Sequence, residues 1–173
     1  MTAAACAGVA LQITEQALLV VGVARHTCQQ VGVTGQEREV EQFRLGVVSD
    51  APRFQVWLRL CSLGLQHLFD AVVTFDDTGE RKPAAAPFRE VLRRLGVEPA
   101  ESLMIGDWAE RDVVGGKSLG MKTVFARYGD TFDTKESGAD FDVDDVLDLV
   151  GIVDRLNGRE PVVQAQGGGP HVR

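Results

Sequence analysis

From residue 45 onward, short apolar runs alternate with segments in which apolar residues recur at helical spacing. The apolar runs, at residues 45–48, 71–75, 103–105 and 122–126, have the length and the aliphatic content of strands buried on both faces. Helices are predicted at residues 54–65, 87–95 and 112–119, and from a cap at Asp144 to about residue 157. This alternation predicts an α/β fold with a parallel sheet and helices on both faces.

The same patterns divide the chain into three parts. Residues 1–44 are a divergent N-terminal segment, in which the apolar run at residues 18–24 is a candidate for a degenerate first strand, with a helix after it. Residues 45–157 are the α/β core. Residues 158–173 are rich in glycine and poor in apolar side chains, which predicts a disordered tail.

Charge and cysteine content narrow the range of partners and compartments. The net charge of -7 argues against nucleic acid and anionic membrane surfaces as general partners. The three cysteines form no CxxC pair, which is typical of reduced thiols in a cytoplasmic protein. Residues 1–11 contain no Lys or Arg, so no secretory signal is predicted, and the apolar run at residues 17–24 is too short to span a bilayer.

Two carboxylates follow the apolar run at residues 103–105. Asp107 comes at the tip of the predicted strand, and Asp112 lies at the start of the next helix. Two carboxylates on one loop provide the hard oxygen ligands that Mg²⁺ prefers. The alternative is purely structural, with Asp107 as a turn residue and Asp112 as a helix cap.

Two further polar residues are candidates for binding an anion. Lys82 lies in a loop before a predicted helix, where its ammonium group can neutralise a phosphoryl group; a solvated surface lysine is the alternative. Ser49 ends the run at residues 45–48, and its hydroxyl and the N–H groups that follow can hold a phosphate oxygen. Ordinary turn chemistry is the alternative for Ser49.

Taken in order, these segments resemble the haloacid dehalogenase-like (HAD) hydrolase superfamily, phosphatase type. The resemblance is carried by Ser49-Asp50 after an apolar run, by Gly79-Glu80-Arg81-Lys82-Pro83, and by Gly106-Asp107-x4-Asp112-x2-Gly115-Gly116-Lys117-x2-Gly120-Met121. It implies a Rossmann-like core. It also implies that Ser49, Asp50 and Lys82 bind phosphate, that Ser49 and Lys82 take part in catalysis, and that Asp107 and Asp112 bind Mg²⁺.

The first motif of that superfamily, Asp-x-Asp-Gly-Thr, has no counterpart here. No aspartate precedes Asp50, and the candidate first strand ends in Arg25-His26-Thr27, where the nucleophile loop is expected. His26 and Cys28 are conceivable replacements, but nothing in the sequence indicates that either is activated. The short stretch from Thr27 to residue 45 also predicts no cap domain, or a minimal one.

The resemblance therefore implies a Mg²⁺-dependent phosphomonoester phosphatase for a small phosphorylated metabolite, with activity impaired by the missing nucleophile. A non-catalytic module that binds phosphate or metal is the main alternative. A 2-haloacid dehalogenase is less favoured, because that chemistry does not need the pair of Asp107 and Asp112.

Overall fold

The computed structural model describes residues 17–31 and 37–159, with side chains from residue 43 onward. In this part of the chain six strands form one sheet: β1 Ala17–Val31, β2 Glu37–Ser49, β3 Ala71–Val73, β4 Ser102–Gly106, β5 Lys122–Ala126 and β6 Phe141–Val143. The α-helices of the same part are α1 Arg53–Ser62, α2 Phe75–Thr78, α3 Ala85–Leu95, α4 Val114–Ser118 and α5 Asp148–Leu156. Shorter helical turns cover Pro99–Glu101, Ala109–Val113 and Arg127–Gly129.

The sheet has the order β3-β2-β1-β4-β5-β6. Strands β2 and β3 are parallel, as are β4, β5 and β6, whereas β1 is antiparallel to both of its neighbours, β2 and β4. Strands β2 to β6 therefore all run in one direction and end at one edge, which we call the carboxyl edge. The predicted α/β class with parallel strands is confirmed, and β1 makes the sheet mixed.

Helices lie on both faces of the sheet, as predicted. On one face, α3 buries Phe88, Val91 and Leu95 against a cluster that includes Val73 of β3 and Met104 of β4. On the other face, α5 packs against residues of β4, β5 and β6, namely Leu103, Ile105, Val124, Ala126 and Val143. Successive residues of β4 point to opposite faces, so this one strand contributes to both cores.

The N-terminal strand differs from its prediction. The run at residues 18–24 is in a strand, but β1 continues to Val31 and includes residues 25–27. Ala17 pairs with Ser49 and His26 pairs with Gln42. The seven steps along β2 from Gln42 to Ser49 place His26 roughly 24 Å from the carboxyl edge. Residues 25–27 lie within β1, because a strand joined to β2 by only five residues pairs with it as a hairpin. The absence of the first motif stays a prediction.

Two helix starts also differ from their predictions. The last helix begins at Asp148 and not with a cap at Asp144; Asp145 accepts the N–H of Leu147 at 2.8 Å just before it. The helix predicted at residues 112–119 is a wide turn at Ala109–Val113 followed by α4. None of the helices in the described residues is long and apolar enough to cross a membrane. Of the predicted disordered tail, residues 160–173 lie outside the described residues.

Candidate functional site

Three loops meet at the carboxyl edge of the sheet. The loop after β2 carries Ser49 and Asp50, and the loop after β4 carries Asp107 and Asp112. Lys82 lies on the connection between α2 and α3. Because β2 and β4 run in the same direction on either side of β1, their carboxyl ends face the same space, which is where parallel sheets bind ligands.

The centre of the site is a buried ion pair. Nζ of Lys82 lies 2.9 Å from Oδ1 of Asp112, and the two side chains are only 5% and 3% exposed. The other carboxylate oxygen, Oδ2, accepts the backbone N–H of Trp108 at 3.1 Å. Lys82 is therefore not the solvated surface lysine of the alternative interpretation, and Asp112 does more than cap a helix. Removing two charges from water costs free energy that their attraction only partly returns, so a buried ion pair at this edge is more typical of a binding site than of a stabilising contact.

Asp50 joins the three loops through its carboxylate. Oδ1 accepts the backbone N–H of Lys82 at 2.9 Å, and Oδ2 accepts Nη1 of Arg111 at 3.0 Å. Both oxygens of the Asp50 carboxylate are thus engaged, and its negative charge repels an anion. A part for Asp50 in phosphate binding stays a prediction. Ser49 is buried, and its Oγ accepts the N–H of Ala51 at 3.2 Å, which is turn chemistry.

Asp107 is half-buried beside Asp112. Burial raises the pKa of Asp107, and the charge of Asp112 raises it further, while Lys82 opposes the shift. The carboxylate is packed against the backbone after β5, since a Cβ at Gly129 would lie 2.7 Å from Oδ2 of Asp107. The raised pKa means that ionised Asp107 lacks sufficient positive charge around it.

A divalent cation fits this imbalance. Apart from its ion pair with Nζ of Lys82, buried Oδ1 of Asp112 receives no hydrogen bond from the described residues, so it retains a lone pair for a cation. Asp107 supplies a second carboxylate. Within residues 43–159, however, no cluster of three or more Asp, Glu, His or Cys side chains is arranged to hold a metal. Two carboxylates suit Mg²⁺, which keeps several waters and shares its remaining positions with substrate phosphate.

The sequence interpretation missed Arg111, Trp108 and Gly129. The guanidinium of Arg111 lies 3.8 Å from the centre of the Trp108 ring, and this ring also contacts Phe132 at 4.5 Å. Arg111 and Trp108 lie between the two predicted metal ligands in sequence, which was the one available signal for them. The partner of Arg111, Asp50, is 61 residues away and could not be identified from spacing.

Comparisons with known proteins identify the family. The sequence profile of the family described as haloacid dehalogenase-like hydrolase matches residues 28–126. Glyceraldehyde 3-phosphate phosphatase of Pyrococcus furiosus is 30% identical over 131 residues, which are 73% of this chain and 54% of that protein. Pyrophosphatase PpaX of Bacillus mycoides is 34% identical over 128 residues, which are 72% of this chain and 59% of that protein.

A solved structure gives the same result for the fold. The crystal structure of a HAD phosphatase from Thermococcus onnurineus superposes with a TM-score of 0.59 at 36% identity, covering 69% of this chain and 52% of that one. The chain thus spans between half and three-fifths of the length of these three relatives. Because the profile covers more than half of the chain, including the loops of Lys82, Asp107 and Asp112, the chain belongs to the haloacid dehalogenase-like hydrolase family.

Proposed function

We propose that the carboxyl edge binds Mg²⁺ and the phosphate group of a small phosphorylated metabolite, and that the chain is a phosphoric monoester hydrolase of low turnover. The observation that carries this proposal is the buried pair of Lys82 and Asp112 with Asp107 beside it. Two relatives are named for glyceraldehyde 3-phosphate and for pyrophosphate, which supports a small phosphorylated ligand. The cytoplasm remains the predicted compartment.

The charges of the site explain why a cation is needed. Asp50, Asp107 and Asp112 carry three negative charges, and Lys82 and Arg111 carry two positive ones, so the ionised site has a net charge of about -1. A phosphate dianion is repelled by this set. A bound Mg²⁺ changes the sum to about +1 and removes the repulsion that raises the pKa of Asp107.

Each residue then has a defined task. Asp107 and Asp112 would hold the cation, which supplies Lewis-acid polarisation of the phosphoryl oxygens when it is bound. Lys82 donates to a phosphate oxygen as a fixed point charge, and its position is set by Asp112 and by Asp50. Ser49 holds the turn after β2 by accepting the N–H of Ala51. The proposed contribution of Asp50 is to hold the backbone of Lys82 in place.

Turnover is expected to be slow because the sequence contains no aspartate before Asp50. Covalent catalysis of phosphoryl transfer in this family requires a carboxylate nucleophile, and its removal typically costs several orders of magnitude in rate. The same observation favours a second function, a non-catalytic module that binds phosphate. The retained pair of Asp107 and Asp112 disfavours 2-haloacid dehalogenation.

The test combines turnover with binding on the full chain. We expect slow hydrolysis of p-nitrophenyl phosphate that requires Mg²⁺ and is abolished in Asp107→Asn. Calorimetry with inorganic phosphate is expected to show binding that requires Mg²⁺. Binding without hydrolysis would select the non-catalytic module. Absence of both signals would refute a phosphate site at this edge.

A further inference from the structure

The residues around Lys82 form a closed circuit of contacts. The backbone N–H of Lys82 donates to Asp50, and Asp50 accepts from Arg111. Arg111 stacks on the Trp108 ring, and the Trp108 N–H donates to Asp112. Asp112 pairs with Nζ of Lys82 and closes the circuit. Five residues from three loops are thus linked, and the backbone N–H groups of Lys82 and Trp108 make two of the five links.

We propose that Arg111 is a positioning residue for Lys82 and acts through Asp50, an inference that rests on the proposed phosphate site. Arg111 does not contact Lys82 itself. It neutralises Oδ2 of Asp50, and the opposite oxygen of this carboxylate holds the backbone of Lys82. The ammonium group of Lys82 therefore keeps its position relative to Asp112 only while Asp50 holds the backbone N–H of Lys82.

The burial of Asp50 makes it dependent on Arg111. The side chain of Asp50 is 7% exposed, whereas that of Arg111 is 33% exposed. Without the guanidinium, Asp50 would be a buried charge with one unpaired oxygen, and rotation of its carboxylate toward water would release the N–H of Lys82. Both this N–H and the ion pair of Lys82 lie on the circuit. Losing the hydrogen bond of this N–H should therefore weaken the binding of phosphate to Lys82.

The stack on Trp108 sets the position of the guanidinium. The planar group of Arg111 lies against the indole, and the indole is in turn packed against Phe132. Stacking already restricts the rotation of the guanidinium, so forming the hydrogen bond to Asp50 costs little further conformational entropy. Lysine at this position would keep the charge but not the planar stack, which makes Arg111→Lys an informative conservative variant.

The experiment measures the dissociation constant of inorganic phosphate by calorimetry on the full chain in saturating Mg²⁺. Arg111→Gln is expected to weaken phosphate binding about tenfold, and Asp50→Asn by a similar factor. The double variant is expected to be no more than about twofold weaker than the worse single variant, because both changes break the same link. Arg111→Lys should recover at least half of the loss on a logarithmic scale.

The matched control is Arg94→Gln. Arg94 pairs with Asp77 at 2.8 Å with side-chain exposures of 32% and 9%, nearly the values of the pair of Arg111 and Asp50, but it lies outside the circuit. Phosphate binding by Arg94→Gln should stay within about twofold of the wild type. Far-UV circular dichroism identifies any variant that fails to fold. If the other variants do not fold, the dissociation constants of Arg111→Lys and the wild type still test the proposal.

The outcomes separate this inference from the proposed function. Phosphate binding by the wild type with no change in Arg111→Gln would overturn the positioning role alone. Additive losses in the double variant would indicate that Arg111 contacts phosphate directly, and they would also overturn it. An equal loss in Arg94→Gln would show a general effect of removing any buried pair. A wild type that binds no phosphate would remove the proposed site and this inference with it.

Discussion

The pair of Lys82 and Asp112 provides the most direct test of the site. In Lys82→Met the side chain keeps roughly its length and apolar stem but loses its charge. Asp112 would then be a buried carboxylate whose Oδ1 has neither its ion-pair partner at 2.9 Å nor a hydrogen bond from the described residues. Breaking one side of such a pair typically costs about 3–5 kcal/mol of unfolding free energy. That loss is a large part of the stability of a domain this size.

A second variant shows that charge, and not packing, causes the loss. Lys82→Met combined with Asp112→Asn removes both charges and keeps an oxygen that can accept the N–H of Trp108. We expect the double variant to lose only about 1–2 kcal/mol, so that it is more stable than Lys82→Met alone. Urea unfolding in EDTA, followed by far-UV circular dichroism, measures all three free energies. Mg²⁺ should then stabilise Lys82→Met more than the wild type, because the cation replaces the lost charge.

The control for this prediction is an exposed pair. Lys135 contacts Asp133 at 2.7 Å, but the two side chains are 79% and 85% exposed, so Lys135→Met should not change the stability measurably. A loss below about 1 kcal/mol in Lys82→Met would mean that Asp112 is not a buried charge in need of a partner. Additive losses in the double variant would show equally that the two groups are not coupled.

Three further predictions concern carboxylates near the site and on α2. Burial and the charge of Asp112 raise the pKa of Asp107, so the stability that protonated Asp107 contributes is complete at low pH and is lost as the pH rises through the raised pKa. Asp107→Asn should therefore stabilise the metal-free protein at neutral pH. Urea unfolding in EDTA should show that this gain vanishes near pH ~3. Gly129→Ala should push Asp107 aside and weaken Mg²⁺ binding about 10- to 100-fold in calorimetry, whereas unchanged affinity would contradict the packing described. Burial would raise the pKa of Asp77, but hydrogen bonds from Thr74 and Arg94 outweigh burial and lower this pKa to about 2. Ionised Asp77 should therefore contribute up to about 2 kcal/mol to the unfolding free energy above pH ~4, and this contribution should be lost toward pH ~2. The pH dependence should be absent from Asp77→Asn.

Much of the fold was predictable because burial leaves a periodic record in the sequence. The run at residues 103–105 lies within β4, and the apolar residues Phe88, Val91 and Leu95 do form the buried face of α3. Polar residues that follow parallel strands must gather at one edge, which is why Lys82 and Asp112 were expected together. Their ion pair follows from topology more than from any local property of the loops.

Other features were not predictable, for different physical reasons. The start of α5 depends on which of several neighbouring aspartates faces free N–H groups, and local sequence does not separate Asp144 from Asp148. The link from Asp50 to Arg111 joins residues far apart in sequence, so it arises only when two loops meet. The direction of β1 is a third case, because a strand has the same alternation whichever way it runs.

The direction of β1 affects the two parts of the proposed function, binding and turnover, differently. An antiparallel β1 places its first residue, Ala17, beside Ser49, and its later residues progressively farther from the carboxyl edge. A carboxylate at residue 26 would lie roughly 24 Å from the carboxyl edge, too far to attack a phosphoryl group held there, since reacting atoms must approach to roughly 3–3.5 Å. The groups proposed to bind the anion and the cation come from the loops after β2 and β4 and from the connection that carries Lys82, all outside β1. The proposed binding of phosphate and Mg²⁺ therefore does not depend on β1, whereas the proposed low turnover does.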